Sequence, residues 1–70
     1  MIDLSLQLQV ARMNAELTTQ ELADKTGFTR EVIERLEDGT IFPDVRHLTS
    51  IAKALGFKDG YFLKEMIYGN

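Results

Sequence analysis

The chain has 70 residues, of which 44% are hydrophobic, with a net charge of −3 and no cysteine. That allows one folded domain, residues 1–70, with a small core burying about 60% of the unfolded surface, and it excludes disulfides, thiolate chemistry and cysteine-based metal sites. No apolar run nears the ~20 residues of a membrane span and no signal peptide stands at the N-terminus, so a cytoplasmic protein with no membrane role is expected.

The chain reads as five short helices with no sheet. The first segment is two-sided. Ile2, Leu4, Leu6, Leu8 and Val10 alternate with polar residues, which is a strand period. Gln, Ala, Met and Leu favour a helix, however, and no hairpin partner follows. Wound as a helix, Leu4, Leu8, Ala11 and Ala15 share one side, predicted to face the core. Leu6, Val10 and Met13 lie roughly opposite and need a different cover.

The second helix is predicted over about 19–25. Thr18 is its N-cap, Glu21 completes a capping box, and Leu17 and Leu22 form a hydrophobic staple. The third, about 30–37, starts the same way, with Thr29 as N-cap and Phe28 and Ile33 as staple, and stops at Gly39. Pro43 and Asp44 open the fourth, with Val45, Leu48, Ile51, Ala52 and Leu55 inward and Gly56 at its end. A last helix over about 59–66 is expected to turn Tyr61, Phe62 and Met66 inward.

Residues 19–38 form the informative stretch. Ala23 is small where two helices must cross closely. Gly27, four residues on, stands at a turn that needs a positive φ, and Ile33 follows to fill the crevice between the helices. Leu22, Phe28 and Leu36 supply the remaining apolar contacts. This is the spacing of a helix-turn-helix.

With Leu17-Thr18-x-x-Glu21-Leu22-Ala23-x-x-x-Gly27-x-Thr29-x-x-x-Ile33-x-x-Leu36-Glu37-x-Gly39, then Pro43 and Leu48-x-x-Ile51-Ala52-x-Ala54-Leu55-Gly56, the chain resembles the lambda-repressor-like, Cro-type helix-turn-helix family from about Leu4 to Phe62. The resemblance implies a compact five-helix all-α domain, in a small phage or bacterial transcription regulator acting in the host cytoplasm. It implies operator DNA as partner, with the second helix of the motif in the major groove. Base-reading positions then fall on Arg30, Glu31 and Arg35, with Thr29 near the backbone and Thr19 and Gln20 at the phosphate end of helix two. Arg can fork onto guanine and Glu can accept from the cytosine amino group. Those three residues, together with Glu34, also suit a plain solvated face with i,i+4 pairs Arg30–Glu34 and Glu31–Arg35. Arg12 and Glu37 match the family's structural ion pair between helices one and three.

Three departures bear on that use. The family's phosphate-gripping Gln at the start of helix two is Thr19 here, with Gln20 one place late. The loop after helix three, usually polar, reads Thr40-Ile41-Phe42. Residues 30–46 hold three Arg against Glu31, Glu34, Glu37, Asp38 and Asp44, a net −2 where a duplex would dock. The departures also add apolar surface: Leu6, Val10, Met13, Ile41 and Phe42 occupy positions usually polar in the family, as a protein interface would require. For Ile41 and Phe42 the alternative is a small cluster folded back on the core.

His47, alone and with no cysteine beside it, is expected in solvent on the fourth helix and binds no metal. No acid pair, phosphate loop or nucleophile triad is present, so neither catalysis nor a cofactor or small-molecule ligand is expected. Two functional readings remain. One is a sequence-specific DNA-binding repressor or Cro-like regulator, presented as a homodimer on a two-fold operator. The other is an antirepressor, modulator or antitoxin-like protein, which forms a hetero-complex with another repressor through its apolar and acidic surface.

Overall fold

The computed structural model describes residues 3–63. Four α-helices follow in order: α1 (Leu4–Asn14), α2 (Thr19–Thr26), α3 (Arg30–Asp38) and α4 (Val45–Ala54), with no strand among the described residues. Local capping explains where each begins. The Asp3 carboxylate accepts from the Ser5 amide at 3.2 Å and opens α1. The Thr18 hydroxyl accepts from the Glu21 amide at 3.0 Å while the Glu21 carboxylate accepts from the Thr18 amide at 2.8 Å. Thr29 caps α3 through the Val32 amide at 3.1 Å. Asp44 caps α4 through the His47 amide at 3.0 Å. Each cap satisfies an amide that the first helical turn leaves without a partner.

The N-terminal segment is therefore a helix, in spite of its alternating pattern. In a helix a two-residue step is a 200° rotation, so alternating apolar residues divide between two faces. Leu8 is buried, and Leu4 and Ala11 rest against the core. Ala15 departs from expectation. It is the exposed C-cap, and beyond it Glu16 takes φ +60°, after which Leu17 again rests against the core.

α1 lies on α3, and α2 lies on both α3 and α4. Between them sit Leu8, Leu22, Ala23, Ile33, Leu36, Leu48, Ile51, Ala52 and Phe62, all essentially inaccessible to solvent. α2 runs one residue further than expected, because the Thr26 hydroxyl bonds back to the Leu22 carbonyl at 2.9 Å. Gly27 then has φ +82°, and its amide donates to the Ala23 carbonyl at 2.8 Å. A Cβ at Gly27 would meet nothing within 4 Å, so the residue is needed for its backbone angle and not for space. The same holds at Gly39, φ +84°, where a Cβ would only touch the Ser5 hydroxyl at 3.7 Å.

The C-terminal side brings four corrections. Residues 59–62 form turns where the fifth helix was expected to start, and of the described part of that span only Leu63 is helical. Residues 64–66, with Met66, lie outside the described residues. Phe62 is buried, but Tyr61 is half-exposed and stacks on Phe57 with ring centroids 4.2 Å apart. On α4, Val45 stands one turn before the first buried residue, Leu48, and remains exposed. His47 is not in solvent. Its side chain is 13% exposed, its Nδ1 accepts from the Asp44 amide at 3.1 Å, and its ring meets Phe28 edge-on at 5.3 Å.

Asp44 gives a pH-dependent prediction. Its carboxyl is held below the ordinary value of 3.8, first by the bond from the His47 amide and then by the charges of His47 and Arg46. A depressed folded value means that stability is fully present above the unfolded value and is lost as pH falls through the folded one. Asp44→Ala should therefore be less stable than the parent at about pH 7, with the gap narrowing below about pH 3.8. Urea denaturation at both ends of that window checks it; a gap independent of pH would refute the cap's charge.

Candidate nucleic-acid interface

α3 turns Ile33 and Leu36 inward, which leaves Arg30, Glu31, Glu34 and Arg35 on its outer face. Two crossed i,i+4 pairs organise that face. Arg30 Nε lies 3.4 Å from Glu34 Oε2, and Arg35 Nη2 lies 2.9 Å from Glu31 Oε2. All four side chains are at least half-exposed, so each pair contributes only about 0.3–0.5 kcal/mol and yields readily to a stronger partner. The solvated-face arrangement is thus present, and it leaves both guanidinium groups available to a ligand.

The remaining expected positions surround this face. Thr29 is exposed, with its hydroxyl engaged in capping. Thr19, the first residue of α2, donates from its hydroxyl to Glu34 Oε2 at 3.4 Å. Gln20 is exposed and donates to Asp24 at 2.9 Å, one turn along α2. Arg12 stands apart in kind. Its Nε and Nη2 fork onto Glu37 at 2.7 and 2.9 Å, and its Nη1 donates to the Leu17 carbonyl at 2.7 Å. The Arg12 and Glu37 side chains are only 12% and 6% exposed. The bond to Glu37 raises the Arg12 pKa above its ordinary value. This pair ties α1 and the turn after it to the end of α3.

The apolar positions do not behave alike. Leu6, Val10 and Met13 are exposed on the outer side of α1. Phe42 is 78% exposed, but Ile41 is not free surface. It rests against the core, drawn in where its amide donates to the Arg35 carbonyl at 3.2 Å, and its neighbour consequently faces outward. Sequence reasoning missed two further features. Phe57 and Tyr61 extend the α1 stripe across a shallow groove that Leu6 and Val10 line on the other side. The spacing Phe57-x-x-x-Tyr61 was the available signal. The tie between Thr19 and Glu34 spans fifteen positions and has no local signal.

No described helix is long and apolar enough to cross a membrane, and no group of metal-binding side chains occurs among the described residues. An all-helical domain with a capped second helix, a glycine turn and an outward arginine-bearing third helix defines a helix-turn-helix protein. A family model described as a helix-turn-helix domain matches residues 3–60, and the chain belongs to that family, in keeping with its lambda-repressor-like pattern. No curated protein matches the chain.

Proposed function

We propose that this protein is a DNA-binding transcription regulator of the repressor or Cro type, which lays α3 into the major groove of an operator. The observation that carries the reading is the outward pair Arg30 and Arg35 on the second helix of a family-matched motif. Both are held only by exposed ion pairs, and both have the fork that reads guanine. Few other cations face the duplex, so a single domain binds weakly. A dimer on a two-fold site doubles the contacts. The occupant proposed for the groove of Leu6, Val10, Phe57 and Tyr61 is a second copy of the chain. That lining carries no formal charge at neutral pH, so a two-fold contact there escapes the self-repulsion of a chain with net charge −3.

Binding to the gene's own upstream region, measured at low salt, tests this. Arg30→Ala and Arg35→Ala should each weaken binding by about 1–3 kcal/mol and relax the preference at one base pair. The salt dependence of the parent should be shallow, since it follows the number of phosphates neutralised. A steep slope, or no loss in either variant, would contradict the assignment.

A second reading is favoured by the acidic side of the same face. Glu31 and Glu34 are as exposed as the arginines, and this is the surface a modulator would place on another regulator's basic patch. Repeating the binding experiment with a neighbouring repressor present separates the two: an antirepressor releases that repressor from DNA and binds none itself.

A further inference from the structure

Among the described residues, the Glu34 side chain touches both a phosphate-end residue and a base-reading residue of the motif. Its Oε2 accepts from the Thr19 hydroxyl at 3.4 Å and pairs with Arg30 Nε at 3.4 Å. The side chain is 51% exposed, so no core packing holds it there. Resting on the proposed DNA-binding reading, we infer that Glu34 is an affinity-restraining residue: its carboxylate occupies Thr19 and Arg30 in the free protein and competes with DNA for both, with backbone phosphate at Thr19 and, on random sequence that presents Arg30 with no guanine to read, with phosphate there too.

The physics has two parts. A bound duplex brings phosphate oxygens to the N-terminal end of α2 and to α3. There they must displace Glu34 from the hydroxyl and the guanidinium. The displaced carboxylate then stays beside the phosphate at close range with like charge. Restraint of this kind keeps non-specific binding low. Only a site that also rewards the base-reading contacts overcomes it, so random sequence stays unoccupied at concentrations where such a site is bound. Glu31 lacks this double role, since its pairing is with Arg35 alone on the same helix.

The test uses the full chain and a random-sequence duplex of about 20 base pairs, titrated from about 50 to 200 mM salt. Glu34→Gln should bind about three- to tenfold tighter at the low-salt end, and its plot of log affinity against log salt should steepen by about 0.9, the signature of one more phosphate neutralised. Asp59→Asn removes the same charge from the 57–62 turn and should change neither quantity appreciably. Thermal melts confirm that both variants fold. A wild type that does not bind beside a Glu34→Gln that does would support the inference most directly. A wild type that binds, with Glu34→Gln no tighter or with Asp59→Asn gaining equally, overturns the inference alone. No binding by either protein overturns the inference, while the DNA reading stands or falls separately on binding to the gene's own upstream region.

Discussion

Replacing Arg12 by alanine should lower the stability of the domain by about 3 kcal/mol, while Lys53→Ala, on the exposed side of α4, should leave it nearly unchanged. The cost does not measure the strength of the Arg12–Glu37 attraction. It arises because Glu37, 6% exposed, would keep its carboxylate in a site with no partner, and the Leu17 carbonyl would lose a 2.7 Å donor. For a domain of this size the loss corresponds to a fall in Tm on the order of 10–20 °C. The Arg12 pKa is raised on folding. By linkage its contribution is complete below the unfolded value and disappears only as pH rises through the still higher folded one, so it is constant across neutral pH. Removing both charges with Arg12→Met and Glu37→Met together should recover most of the loss, because no buried charge is then left alone. Equal melting temperatures for Arg12→Ala and Lys53→Ala would defeat this account.

Val10→Asp should abolish self-association while leaving the melting temperature of the monomer close to that of the parent. Val10 is 45% exposed on the outer side of α1, and the core residue of that helix, Leu8, lies on the other side. In the dimer its side chain would be covered, and each apolar side chain so buried contributes on the order of 1.5–3 kcal/mol to association. An aspartate there puts two like charges into the proposed contact, where none of the described residues lining the groove is a cation. Sedimentation of parent and variant over a range of concentration reads the effect. Operator affinity should fall in parallel, since a monomer holds only one half-site. If Val10→Asp unfolds the domain, the stripe belongs to the core; if association persists, the contact lies elsewhere.

These two residues show how differently the parts of the molecule could be read from sequence. The Thr18–Glu21 capping box, the Thr29 cap, the Gly27 turn and the stop at Gly39 were legible because each is a local arrangement, satisfied within three or four residues by one side chain or one backbone angle. The inward set Leu22, Ala23, Ile33 and Leu36 followed from the helix-turn-helix spacing around Gly27. The Arg12–Glu37 pairing came from the family pattern; the residues themselves carry no local sign of a bond across twenty-five positions.

The chain by itself thus determined the helices from Thr18 to Gly39 and the residue types on the outer face of α3. The helix of the N-terminal segment also followed from its residue types, although its alternating residues satisfy a strand period as well as two faces of a helix. Only tertiary structure left Ala15 exposed at the C-cap of α1, set His47 against Phe28 and separated Ile41 from Phe42. The reason is common to all of these. Exposure and pairing at such positions depend on which other element arrives beside them, and a packed core, unlike a cap or a turn, is built from residues far apart in the chain.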